Sequence, residues 1–449
     1  MPAIESEVAV GHDLLRQLSR ARQQADDVFS LVKPDSLYER PIAERRRIIF
    51  YIGHLEAFDW NLLHERVLGL KSFHPEFDRL FAFGIDPVGG RLPDDQASHW
   101  PSVAEVREYV RKTRTVLDEK LEEAPADARH CAGDGSALAM LLHVALEHRL
   151  MHAETLAYML HQLPLHRKIL QNEFLLTASA PVFDRTVEIP AGEVTLGLPR
   201  NGKNFGWDNE FEEHTFHIPA FGIDQYKVTN GQFLDFMRAG GYETKAFWVG
   251  SDQNDADWVW KSEGGVSHPA FWKAEGNRWL YRTMFRELPL PLDWPVYVSH
   301  AEAKAYARWA GKSLPTEAEW QRAAYGTPNG KERSYPWGEQ SPDASRGNFD
   351  FVRWSPSPVN ASPEGQSAFG VHHMLGNGWE WTSTEFAPFP GFEPFPFYRG
   401  YSADFFDGKH FVMKGGSSRT AACMLRRTFR NWFQPHYQYA YSGFRCVSR

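Results

Sequence analysis

Cysteine is scarce in this chain: three in 449 residues, Cys131, Cys423 and Cys446. An odd, widely spaced set builds no disulfide framework and points to a reducing compartment. Long hydrophobic runs are missing too. No stretch reaches about 18 apolar residues, so no membrane-spanning helix is expected. The opening MPAIESEVAV lacks a basic region followed by an apolar one, so no secretory signal is expected, and a cytoplasmic location follows. Nor is there an excess of positive charge. Lys and Arg total 49 against 57 Asp and Glu, a net charge of −8, which offers no footing for nucleic acid. Repeats of fixed period and low-complexity tails are also lacking. What remains is an ordinary globular composition, 42% hydrophobic and 24% charged, at a length that suggests two to three domains.

The most informative stretch is Ser136 to Gln162, SALAMLLHVALEHRLMHAETLAYMLHQ. It lacks Pro and Gly, is rich in Ala, Leu and Met, and reads as one long helix that is apolar nearly all round. His148 and His152 lie four apart, one turn along a shared face. Two imidazoles so placed can grip a transition metal. A lone pair at this spacing is more often surface decoration or a hydrogen-bonded core pair. The metal reading gains weight from His54, in the apolar helical stretch IIFYIGHLEAFDWNLL. If the two helices face each other, three imidazoles converge. His143 and His161 point elsewhere or sit at the helix end, and both read as non-ligands. Glu147 is turned about 100° from His148, which argues against a two-histidine, one-carboxylate triad from this helix.

Residues 5 to about 165 read as helical. A stripe of Leu14, Leu18, Ala21, Ala25 and Val28 marks the first helix. The second is expected from Ile42 to Gly69. A loop-like segment, His74 to Trp100, follows. Ser102 and Glu105 stand in capping-box spacing before a third helix that ends at Glu123. Four long helices with one long connection imply a bundle, a fold that builds metal sites from inward-facing side chains. After Leu165 the character changes to short aromatic runs with Gly and Pro. Helices are expected at Val298–Gly311 and Thr316–Ala324, and strands at Val187–Leu196 and His217–Gln225.

This second half carries IPAGEVTLG, DNEFEEH, VTNGQFLDFM, YARWAGKSLPTEAEWQRAA, YPWG, GNGWEWTST, KGGS, RRTFRNWF and SGFR, in that order. It resembles the formylglycine-generating-enzyme/sulfatase-modifying domain, a C-type-lectin-like fold. The first half resembles the DinB-like four-helix domain. The resemblance implies an α+β protein, with a DinB-like bundle over residues 1–170 and a lectin-like domain over 171–449. Together the halves resemble the non-haem iron sulfoxide synthases of ergothioneine-type biosynthesis. In that family three histidines hold Fe(II), and their places match His54, His148 and His152. The implied reaction joins a thiol, cysteine or γ-glutamylcysteine, to the histidine betaine hercynine with O2, giving a sulfoxide. Alternatives are a selenoneine-type synthase using a selenosugar, a zinc-dependent thiol transferase, and a lectin-like binding protein without catalysis. Formylglycine generation is disfavoured, because Cys423 and Cys446 lack the expected context and read as buried apolar cysteines.

Further site residues follow from the resemblance. Asn431 and Trp432 match a substrate-facing pair, and Arg91 falls near carboxylate-binding arginines. Arg427 and Arg430 are carboxylate-binding candidates that the framework could also claim. Tyr398 and Tyr401, in the aromatic loop 386–406, are the candidate proton donors. Departures from the family pattern are Met151 and Phe58, where the ergothioneine enzymes carry glutamines, and Phe433, where an aspartate would read the amino group of γ-glutamylcysteine.

Overall fold

The computed structural model describes residues 2–82, 93–123, 137–176, 182–183, 185–201, 204–250 and 253–449. It groups into two compact units, Met1–Gln171 with Asn201–Phe205, and Asn172–Arg200 with Gly206–Arg449.

The first unit holds α1 (Pro2–Phe29), α2 (Ile48–Leu63), a short α3 (Pro75–Leu80), α4 (Val103–Glu123) and α5 (Ala137–Gln162). The long helices pack α1 on α5 and α2 on both α4 and α5. The predicted stripe of α1 is buried from Leu14 to Val28, and α5 is buried on nearly every side. Ser102 and Glu105 form the expected box. The Ser102 amide donates to Glu105 Oε2 at 2.8 Å, and the Glu105 amide to Ser102 Oγ at 3.3 Å.

Two expectations fail here. First, α2 is shorter than Ile42–Gly69. Before it, Arg47 is extended, and its guanidinium donates to the Tyr38 carbonyl (2.7 Å) and to Asp95 (3.0 Å), so the preceding residues form a packed turn. After it, the Leu68 amide reaches back to the Leu63 carbonyl and Gly69 takes φ +62°, a glycine-assisted stop. Second, α3 lies inside a stretch that reads as loop. Pro75 opens it, and the His74 ring accepts from the Phe77 amide.

In the second unit each predicted strand is two. β1 (Thr186–Ile189) and β2 (Gly192–Leu196) are separated at Pro190, and β3 (His214–Ile218) and β4 (Phe221–Asp224) at Pro219. Proline has no amide to give a ladder. β1 then pairs with β4, and β2 with β3, in different sheets. Helices α6 (Asn230–Arg238), α7 (Lys245–Trp248) and α8 (Ala256–Glu263) follow, then the sheet of β5 (Trp272–Glu275), β6 (Arg278–Arg282) and β7 (Glu287–Pro289). Sequence reading missed α6, although Thr229 and Gln232 form a capping box at its start. The expected α9 (His300–Trp309) and α10 (Glu317–Tyr325) are present, capped by Ser299 and Thr316. A four-stranded sheet comprises β8 (Trp379–Glu385), β9 (Phe411–Lys414), β10 (Asn431–Phe433) and β11 (Ser442–Gly443), and β12 (Val447–Ser448) closes the β1–β4 sheet. Ile189, Ile223, Trp320, Met374 and Leu425 lie at the core.

The GNGWEW stretch is architectural. A Cβ on Gly376 would lie 2.5 Å from the Asn348 carbonyl, so only glycine fits beside that backbone. Asn377 then bonds the backbone of Ser357. Glu380, fully buried, accepts from Arg445 (2.6 and 3.0 Å) and Lys227 (2.8 Å). Among the described residues, no helix is long and apolar enough to cross a membrane.

A candidate metal centre of three histidines

α2 and α5 bring His54, His148 and His152 together. All three are buried, and their candidate ligand atoms lie within 4.8 Å of one another. Among the described residues this is the one group of three or more His, Cys, Asp or Glu side chains so placed. His54 Nε2 and His152 Nε2 stand 3.3 Å apart. His54 Nδ1 donates to the Phe81 carbonyl at 2.7 Å. That bond puts the proton on Nδ1 and leaves the Nε2 lone pair directed at the other rings, the usual outer support of a metal-bound histidine. Gly53 makes it possible, because a Cβ there would lie 2.6 Å from the Phe81 ring.

The electrostatics agree. Burial pushes the His54 imidazole down to about 4, against the pull of the Phe81 carbonyl. Burial and the neighbouring charges hold His148 and His152 well below the ordinary value. Three neutral imidazoles are ligands in their binding form. Metal–nitrogen bonds of about 2.1 Å place neighbouring ligand nitrogens about 3 Å apart, which suits the His54–His152 separation. The residues present therefore fit a divalent transition metal.

Aromatic rings surround the group. Phe50 stacks on His54 (centroids 4.9 Å), Phe58 on His148 (3.4 Å), and Tyr51 lies 5.8 Å from His152. Phe50 and Phe58 flank His54 at i−4 and i+4, a spacing that puts all three on one face of α2. That signal was legible in the sequence, whereas the Phe81 carbonyl left none. Met151 sits half-buried on α5 beside His152. His143 stacks on Phe205 (5.0 Å) instead of joining the group.

The other candidates lie in the second unit. Tyr401 is buried and stacks on Trp207 (3.9 Å), with Tyr398 5.4 Å away. Trp432 stacks on Phe386 (4.1 Å), with Tyr401 edge-on at 5.4 Å and Phe405 at 5.6 Å. Asn431 is half-buried beside it, its Oδ1 accepting from the Trp432 amide. Phe433 stacks on Tyr437 (4.8 Å). Trp207, Phe386 and Phe405 were not anticipated as part of this cluster. Asp208 anchors the same loop. Its carboxylate accepts from Ser402 Oγ at 2.5 Å and from the Phe395 amide, and burial pushes its carboxyl up to about 6.

Arg430 is claimed by the framework. It is buried, donates to Glu317 (3.0 Å) and to the Asn209 and Ala387 carbonyls, and lies 4.0 Å over Phe389. Arg427 pairs with Glu332 at 2.7 Å. Arg91 lies outside the described residues. Cys446 is buried as expected, but Cys423 is exposed, on the outer side of a single 3-10 turn, Ala422–Met424.

Residues 174–449 match the sulfatase-modifying factor enzyme 1-like domain family, and residues 17–156 match the DinB superfamily. The chain is 34% identical to the hercynine oxygenase of Mycolicibacterium thermoresistibile, covering 98% of this chain and 96% of that protein. It is 36% identical to the hercynine oxygenase of Mycobacterium tuberculosis over 77% of this chain and 78% of the relative. Identity to ergothioneine biosynthesis protein 1 of Neurospora crassa is 29%, covering 93% of this chain and 55% of that longer protein. A DinB-type helical bundle carrying a buried histidine trio, followed by a sulfatase-modifying-factor-like domain, places this chain in the ergothioneine-type family to which the hercynine oxygenases belong.

Proposed function

We propose that this protein catalyses the O2-dependent joining of a sulfur donor to the imidazole ring of hercynine, giving a sulfoxide, with Fe(II) held by His54, His148 and His152. The observation that carries this reading is the convergence of three neutral, buried imidazoles, in a chain similar over nearly its whole length to a hercynine oxygenase. The balance is complete. One S–H and one imidazole C–H bond break, one C–S and one S–O bond form, and the second oxygen atom leaves as water with both protons. Bound Fe(II) supplies the redox chemistry that lets O2 react with a thiolate, and a three-histidine ligand set leaves positions for small molecules.

The protein's own groups do the rest. The Phe81 carbonyl holds the His54 tautomer, and Phe50 and Phe58 cover two ligand rings and exclude water. Trp432, backed by buried Phe386, and half-buried Phe405 offer ring faces to a quaternary ammonium. Tyr401 or Tyr398 gives or takes the proton, and Asn431 supplies an amide beside the ring cluster. Met151 and Phe58 give the histidine group apolar neighbours on α5 and α2.

Phe433 favours a second reading of the donor. Its ring, stacked on Tyr437, gives a primary ammonium no carboxylate to pair with, so a donor lacking that group, such as a selenosugar, suits this position. The test is anaerobic loading of purified protein with Fe(II), then O2 with hercynine and, separately, cysteine, γ-glutamylcysteine and a selenosugar. Mass spectrometry should show the coupled product with one donor. Zinc retention with no O2 uptake would overturn the oxidative reading in favour of a thiol transferase.

A further inference from the structure

Beside the histidine group lies a buried ionic network that the chemistry above does not use. Arg149 follows the candidate ligand His148 by one residue and is fully buried. Its Nη1 donates to Glu56 Oε1 (3.0 Å). Its Nη2 donates to Glu56 Oε2 (3.0 Å), Asp59 Oδ2 (2.6 Å) and the Leu55 carbonyl (3.0 Å). All these acceptors lie on α2, within five residues of His54. Arg114 of α4 donates to Glu56 (2.9 and 2.7 Å) and to Asp26 of α1 (2.6 and 2.8 Å). One network thus joins all four long helices next to the histidines.

We propose that Arg149, with Glu56 and Asp59, is the positioning set of the three-histidine centre, fixing α5 against α2 so that His148 and His152 stay within ligand distance of His54. The inference rests on the metal reading of that centre. α5 is rich in Ala and Leu, and apolar surfaces of this kind tolerate repacking at small cost. A guanidinium fork shared between two carboxylates and a carbonyl has essentially one arrangement. Sliding or rotating α5 would leave buried charges unpaired, which is strongly unfavourable, whereas an intact buried pair adds little stability over an apolar contact. Registry is therefore the property the network confers.

The experiment uses apo full-length protein and Co(II) as the probe. Affinity and the visible Co(II) spectrum are measured for wild type, Arg149→Lys, Glu56→Gln and Asp59→Asn. Tyr109→Phe serves as the stability control. It removes a buried hydrogen bond to Asp78 in the same unit and spares the α2–α5 link. Arg149→Lys and Glu56→Gln are expected to bind Co(II) about 10- to 100-fold more weakly, with a changed spectrum. Tyr109→Phe should melt earlier yet keep wild-type affinity and spectrum. Should Arg149→Lys not fold, Glu56→Gln and Asp59→Asn give the same readout. Unchanged affinity and spectrum in folded network variants overturn the proposal, as does an equal loss in Tyr109→Phe. Failure of wild type to bind Co(II) overturns the metal centre itself.

Discussion

In the lectin-like half, buried charges are matched across distant motifs. Glu380 of GNGWEWT lies between Arg445 of SGFR and Lys227, Glu210 of DNEFEEH takes Arg426 and Thr428 of RRTFRNWF, and Arg430 takes Glu317 of LPTEAEW. In the helical half a comparable network surrounds Arg149, but beside it three imidazoles face one another in a group that contains no carboxylate. The difference separates two uses of buried polarity. Matched charges specify how a chain folds, and a neutral, converging donor set is arranged for something the chain itself does not contain.

The comparison breaks or holds on paired substitutions. His148→Ala should abolish Fe(II) retention, a loss of more than about 100-fold in affinity since even outer-shell partners are worth 10- to 100-fold. The thermal midpoint should hardly fall. Metal analysis after desalting, together with a melting curve, checks both. Arg445→Met should do the reverse. It removes two of the three charge-assisted hydrogen bonds to buried Glu380 and leaves Lys227 as the remaining partner; the cost is about 3–5 kcal/mol, read as an earlier unfolding transition, with metal content unchanged. If Arg445→Met empties the metal site, the two halves are not separable in this way.

A smaller effect sharpens the picture of the aromatic loop. Asp208 carries a carboxyl raised by burial to about 6. Raised above its unfolded value near 3.8, it makes the folded protein hold the extra proton between about pH 4 and 6. Stability attributable to this group therefore falls as pH rises through that window. Asp208→Asn keeps an acceptor for Ser402 and removes the charge. Melting curves should lose their slope between pH 4 and 6 and sit slightly higher at pH 8. An unchanged slope would show that Asp208 is ionised throughout.

Much of the fold is legible because its determinants are local. The apolar length of α5 and the boxes at Ser102, Ser299 and Thr316 can be read directly. The errors have local causes as well. Pro190 and Pro219 split runs that look continuous, and α2 starts late because Arg47 is extended and bonded to Tyr38 and Asp95, and stops early ahead of Gly69 at φ +62°. At the site, His148 and His152 are visible as an i, i+4 pair, and Phe50 and Phe58 could have been. The role of Arg430 was open in the sequence because an arginine near a candidate site looks the same whether it faces a ligand or Glu317.

The sequence by itself determined the helices, the placing of one histidine on α2 and two on a single face of α5, and the membership of both halves in known families, since periodicity, capping and motif order are properties of the chain read in one dimension. Only the tertiary structure decided that those rings meet within 4.8 Å, that a loop carbonyl from Phe81 orients one of them, and that Arg149 joins the two helices. Those contacts link residues 27 to 98 positions apart, and nothing in local propensity specifies which distant side chain fills a given gap in a packed core.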